Sequence, residues 1–173
     1  GAPRRMSEVQ PALTMLSEAD MFEHLATAIY EQAKGNASPE AVALALAHTA
    51  LETGRGKKMH NYNFGHLTKS KEFPGDFYLL QIKEQIKPGI WKLMDMKFRA
   101  YSSPLAGASD YIDFLSTQNS GRYAKAYEYL LLGEPENFVT ELHKQRYFTA
   151  NPGPYINSVV SLYREYKHRY GIR

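Results

Sequence analysis

The sequence predicts a mostly helical α+β fold: a helical lobe with one small inserted β-hairpin lobe. Three observations point there. Apolar residues recur at helical spacing over most of the chain, Ser-Pro and Gly signals bracket those runs, and one central stretch reads as two strands around a Lys-Pro-Gly turn. Taken in order, residues 1–16 contain two prolines and no helical period, and read as a flexible N-terminal segment ahead of a single domain over 17–173. A first helix spans about Ser17 to Lys34, with Ser17 and Asp20 as a cap-like start and Phe22, Leu25 and Ile29 on one face. Ser38-Pro39-Glu40 then combines a cap residue, a proline at the first helical position and an acid in the first turn. The AVALALAHTALE that follows is apolar on nearly every side, which places this helix in the core. About 15 helical residues rise roughly 22 Å, so the run crosses a small domain. It delivers Glu52 where the chain leaves the core, just before the Gly54 stop.

Residues 54–75 form a polar, glycine-containing loop region, and the β lobe occupies about 70–101. Its strands are FYLLQIKEQ and IWKLMDMKFRAY, joined by Lys87-Pro88-Gly89. Ile90, Met94, Met96 and Phe98 share a face at period two, interrupted by Lys92. Ser103-Pro104 opens a helix to about Thr117, and further helices span about Arg122–Leu132, Pro135–Gln145 and Tyr155–Tyr170.

At 173 residues the chain has material for a real core and needs no disulfide or structural metal to fold. The absence of cysteine excludes thiol catalysis, cysteine zinc sites and iron–sulfur clusters, while leaving compartment open. Neither a low-complexity tract nor a hydrophobic run of membrane length occurs, so neither disorder nor membrane insertion is expected. A balance of 21 basic against 18 acidic residues gives +3, a mild bias compatible with an anionic polymer as partner. Thirteen tyrosines suit a surface that is part apolar and part hydrogen-bonding.

Glu52 is the carboxylate that physical reasoning singles out. Burial after an apolar run raises a carboxyl pKa, and so does the negative end of a helix dipole. Both keep the group protonated near neutrality, as a general acid must be. The plainer alternative is a glutamate that caps the loop by bonding backbone amides.

The residues around Glu52 resemble a known family. Ala47-His48-Thr49-Ala50-Leu51-Glu52-Thr53-Gly54-Arg55-Gly56 resembles the A-x-x-A-L-E-[ST]-G-x-G segment of family-73 glycoside hydrolases, the peptidoglycan-cleaving glucosaminidases. Asn61-Tyr62-Asn63-Phe64-Gly65 is similar to their N-x-N-L-F-G loop, one residue shorter. Phe98-Arg99-Ala100-Tyr101-Ser102-Ser103 with Ser109-Asp110-Tyr111 resembles their F-R-x-Y-x-S…S-D-Y block, and Arg122-Tyr123-Ala124-Lys125-Ala126 their R-Y-x-x-A segment. Tyr147-Phe148-Thr149…Pro152…Tyr155 resembles Y-A-T-D-P-x-Y with two extra residues. The resemblance implies a lysozyme-like fold, two lobes flanking a groove, and cleavage of β-1,4 bonds in bacterial cell-wall glycan strands. It makes Glu52 the catalytic acid, and no cofactor or metal is implied. Asn61, Asn63, Phe64 and Tyr147 become candidate substrate contacts, the first three with a turn-forming alternative. Gly65 reads as a backbone requirement, and Tyr101, Tyr111 and Tyr123 as framework.

Two departures stand out. Arg55 sits where the family commonly has tryptophan, and Gln85 falls where many members carry a β-lobe glutamate. Glutamine cannot act as base or nucleophile, but it can orient a water or the substrate's acetamido group. Glu84, on the opposite strand face unless a bulge intervenes, is the candidate second catalytic carboxylate; Glu72, Asp76 and Asp95 are weaker ones. Failing these, cleavage relies on Glu52 with acetamido assistance, or ends as a 1,6-anhydro transfer in the manner of lytic transglycosylases. A degenerate glycan-binding domain is the non-enzymatic alternative. A His48/Glu52 metal pair with His60 and His66 lacks an H-E-x-x-H motif, leaving His48 as a core histidine. The basic Lys167-His168-Arg169-Tyr170 end reads as a solvated helix, not a nucleic-acid face. The expected partner is therefore peptidoglycan, met by a monomer exported to the periplasm, envelope or medium, although no export signal is legible in the chain.

Overall fold

The computed structural model describes residues 6–173. A helix apolar on every side has to be central, and Pro39–Thr53 (α2) is: every residue from Ala41 to Ala50 is buried. The Ser38 hydroxyl accepts from the Ala41 amide, Pro39 starts the first turn, and Gly54 ends the helix in the left-handed conformation at φ 56°. Around it pack Glu18–Gln32 (α1), Ala124–Leu132 (α5) and Pro152–Arg169 (α7). Pro104–Ser116 (α3) lies on α1, and Pro135–Lys144 (α6) on α5 and α7.

The boundaries differ from expectation in two places. Helix α7 begins at Pro152 instead of Tyr155, because prolines in a first turn forgo only amides that have no helical partner. The Asn151 side chain caps it by accepting from the Gly153 amide. Between α3 and α5, Gln118–Gly121 (α4) is a single distorted turn with Asn119 and Ser120 both left-handed.

The β lobe is one antiparallel hairpin, Phe77–Lys87 (β1) with Ile90–Arg99 (β2). Its register runs unbroken from Phe77↔Arg99 to Gln85↔Trp91, after which Ile86 is the extra residue before Lys87↔Ile90. Only the base is buried. Tyr78, Phe98 and Ala100 form a small second core with Leu80, Ile82, Met96 and Val9, whereas Trp91, Leu93, Ile86 and Ile90 at the tip are exposed.

Residues 1–5 of the expected flexible segment lie outside the described residues. Residues 7–16 are extended and bonded to neighbouring segments along their length. Val9 and Phe77 of β1 bond through backbone, as do Thr14 with Met59, Leu16 with Gly56 and Asn61 with Ala12. An extended chain without helical period satisfies its amides on neighbouring loops instead, which a periodicity reading does not detect.

The hairpin is fixed to the helical lobe by one buried ion pair. Arg99, 1% exposed, donates to Asp110 of α3 at 2.9 Å, to Gln118 at 2.8 Å and to the Thr68 carbonyl at 3.0 Å. Asp110 also accepts from the Tyr101 hydroxyl and from Gln118. A buried guanidinium needs this many acceptors to offset its lost hydration. The F-R-x-Y…S-D-Y block is thus a structural knot.

Candidate active site

Helix α2 carries Glu52 in its last turn, with the side chain 18% exposed. Glu52 lines a cavity of about 550 Å³ together with Leu51, His66, Ala150, Asn151, Pro154, Tyr155 and Ser158. Burial pushes its carboxyl up from the ordinary 4.5 to about 7, against a smaller downward pull from the Tyr155 hydroxyl that donates to Oε1. The carboxyl therefore keeps its proton up to about pH 7, where a free glutamate is ionised, which suits a general acid.

Behind it stands a line of buried polar groups. His48, one helical turn before Glu52 and fully buried, has Nε2 3.0 Å from the Tyr155 hydroxyl and 3.8 Å from Glu52 Oε1. Its Nδ1 is 2.6 Å from the Tyr111 hydroxyl. Burial lowers the imidazole to about 3, so it is neutral. His48 is thus a core histidine as expected, yet one connected to the acid. Tyr111, expected as framework only, reaches the site through it. Among the described residues no cluster of three or more histidines or acids is arranged to hold a metal.

The loop that resembles N-x-N-L-F-G supports the site from below without presenting its side chains to the cavity. Asn61 Oδ1 accepts from the Ala12 amide and its Nδ2 donates to the Gln10 carbonyl. Asn63 bonds Leu67 twice, through Nδ2 to the carbonyl and Oδ1 from the amide, both at 2.9 Å. Phe64 is fully buried in the main core. None of the three expected substrate contacts is among the residues lining the cavity: Asn61 holds the distant 10–12 segment, Asn63 satisfies local backbone as short amides do, and Phe64 fills the core. Gly65 is a close-approach position: a Cβ there would lie 2.6 Å from the Tyr147 hydroxyl and 2.7 Å from Tyr111 Cδ1. Tyr147 is likewise not among the residues lining the Glu52 cavity, and lines a smaller one next to His66. Its hydroxyl donates to the Gly65 carbonyl at 2.6 Å and its ring stands edge-on to His48, so it braces the loop, and the tyrosine on Glu52 is Tyr155.

Neither hairpin candidate lines the Glu52 cavity. Glu84 opposes Lys92 and Gln85 opposes Trp91, on opposite strand faces, and both are exposed. They lie six and seven residues beyond Tyr78, roughly 20 Å along the strand. Glycosidase carboxyl pairs stand about 5–9.5 Å apart, and the residues lining the Glu52 cavity include no hairpin carboxylate. The bulge at Ile86 comes too late to exchange the two faces. Asp95, opposite Gln81, is exposed, and Asp76 Oδ1 accepts from the Ser7 amide. Glu72 lines a larger cavity, about 690 Å³, whose other acid, Asp110, is committed to Arg99.

Arg55 explains its own departure. It turns away from the cavity in the left-handed conformation and pairs with Glu165 of α7 at 2.6 and 2.9 Å and with Glu18 of α1 at 3.0 Å. His66 was legible only as a metal candidate. It lines the Glu52 cavity, packs on Phe98 with centroids 4.4 Å apart, and has φ 53°. Burial and the neighbouring His60 hold its pKa below the usual value.

A buried glutamate thus closes the core helix and opens on a cavity, in a mostly helical, lysozyme-like fold with a two-strand hairpin. The model of the glucosaminidase family, described as mannosyl-glycoprotein endo-beta-N-acetylglucosaminidase, matches residues 26–168, and the chain belongs to that family. Solved structures share the fold. The glycoside hydrolase domain of FlgJ from Salmonella typhimurium, C-terminally truncated, is 22% identical with a TM-score of 0.59, covering 88% of this chain and 99% of that one. The catalytic domain of the autolysin Auto from Listeria monocytogenes is 20% identical with a TM-score of 0.64, over 90% and 88% of the two chains. A peptidoglycan hydrolase from Sphingomonas sp. A1 is 22% identical with a TM-score of 0.63, over 89% and 93%. No curated protein matches the sequence.

Proposed function

We propose that this chain is a peptidoglycan hydrolase that cleaves β-1,4 glycosidic bonds of cell-wall glycan strands with Glu52 as general acid. The observation that carries the reading is the buried Glu52, its carboxyl pushed up to about 7, opening on a cavity within a glucosaminidase-family fold. Structural neighbours titled peptidoglycan hydrolase and autolysin supply the substrate class. Such a substrate is met in the cell envelope or outside the cell. Among the described residues no helix is long and apolar enough to cross a membrane.

In the reaction Glu52 gives its proton to the bridging oxygen as the C1–O bond breaks, and positive charge develops on C1 and the ring oxygen. Water then adds to C1 and its proton returns to solvent or to Glu52. Two neutral groups, His66 and Tyr155, line the cavity beside the acid and can orient that water or the sugar without adding charge.

A second reading is favoured by one observation: Glu52 is the only carboxylate among the residues lining its cavity. Without a base beside it, the cation can be captured by the substrate acetamido group, or by the sugar's own 6-hydroxyl to give a 1,6-anhydro end. Mass spectrometry of ends released from purified peptidoglycan separates these outcomes. Reducing N-acetylglucosamine ends support a glucosaminidase, and anhydro ends the transglycosylase. Intact strands with bound protein would leave only a glycan-binding domain.

A further inference from the structure

We propose that Tyr155 is a positioning residue, locked as a hydrogen-bond donor by His48 and Tyr111, and that this lock confines the catalytic proton to Oε2 of Glu52. The inference rests on the reading of Glu52 as the acid and adds which of its oxygens does the work.

Four groups form a line: the Tyr111 hydroxyl, His48 Nδ1 and Nε2, the Tyr155 hydroxyl and Glu52 Oε1. A neutral imidazole has one N–H and one acceptor nitrogen, so the line has only two consistent polarities. In one, Tyr111 donates to Nδ1, Nε2–H donates to Tyr155, and Tyr155 donates to Oε1. In the other, every bond is reversed, beginning with a proton on Oε1. The inner end decides between them. Tyr111 is fully buried and His48 is its one hydrogen-bond partner among the described residues. Under the reversed polarity its O–H would point at no acceptor, and a buried unpaired donor of this kind is strongly disfavoured. Under the forward polarity each donor along the line is used.

The forward line has a consequence for catalysis. Oε1 accepts from Tyr155 whether Glu52 is ionised or not, so the neutral acid carries its proton on Oε2. Among the described residues Oε2 has no hydrogen-bond partner, which leaves it for the glycosidic oxygen. The other titratable groups around Glu52 are Tyr147, which donates to Gly65, and His66 across the cavity; neither bonds the carboxyl.

The direct test is the tautomer of His48 in the wild-type chain, read from side-chain nitrogen-15 shifts between pH 5 and 8. The proposal expects a neutral ring with the proton on Nε2 throughout. A proton on Nδ1 would overturn it, and this readout stands whether or not glycan is cleaved. Variants then connect the line to catalysis. Tyr111→Phe, which touches no substrate, is expected to lower kcat at least tenfold with KM unchanged and to let both tautomers appear. His48→Gln, whose amide can accept from Tyr111 and donate to Tyr155, should restore most of the kcat that His48→Leu loses. Equal kcat in His48→Gln and His48→Leu, with the Nε2–H tautomer seen in the wild type, would reduce the line to a structural role.

Discussion

Replacing Glu52 by glutamine should stabilise this protein at pH 8 and leave its stability unchanged at pH 4. The group titrates at its ordinary 4.5 in the unfolded chain and at about 7 in the folded one. Below pH 4.5 both states hold the proton and the carboxyl costs nothing. Between 4.5 and 7 the unfolded chain ionises first and gains. Above 7 the folded state carries the buried charge and the full penalty, about 3 kcal/mol for this displacement. Glutamine keeps the shape without the charge, at the loss of some strength in the bond from Tyr155. The expected gain at pH 8 is about 2–3 kcal/mol, or roughly 4–12 °C in Tm for a chain of this size. Thermal or urea unfolding of both proteins at the two pH values measures it, and because the comparison is between variants, the other titrating groups cancel. A glutamine variant less stable at pH 8, or a difference that does not change with pH, would refute the burial argument on which the acid assignment stands.

Other outcomes follow from the same geometry. The pH dependence of kcat/KM on glycan should fall tenfold per pH unit above about 7, as Glu52 loses its proton; a plateau to pH 9 would contradict this. Arg99→Met removes the guanidinium that Asp110 and Gln118 share, leaving the Asp110 carboxylate without its cation, and should cost about 3–5 kcal/mol of unfolding free energy in urea. Gly65→Ala drives a methyl against Tyr147 and Tyr111, and is expected to destabilise by about 1–3 kcal/mol while reducing turnover through the displaced Tyr111.

The sequence showed clearly where periodicity and caps carry the signal. The core helix, its Ser-Pro start and its Gly54 stop are local features, and they placed Glu52 where the structure has it. Long-range pairing was not legible in the same way. Nothing local to Asn61 tells that it bonds residues 10 and 12, nor does the 147–155 stretch reveal that Tyr155, not Tyr147, reaches the acid. Arg55 looked like a lost aromatic wall, whereas its partners Glu18 and Glu165 come from opposite ends of the chain. Gln85 and Glu84 were judged by strand parity, which does not tell that both lie exposed on the outer half of the hairpin. His66 is set by a left-handed turn that no residue preference predicts.

The central claim, that Glu52 protonates a glycosidic oxygen of peptidoglycan, is tested most directly by soluble sugar release from purified cell wall with wild-type and Glu52→Gln protein at pH 6. The account predicts release by the wild type and a fall of about 10²–10⁴-fold in the variant, with a melting temperature no lower. Equal release by the two proteins would contradict it.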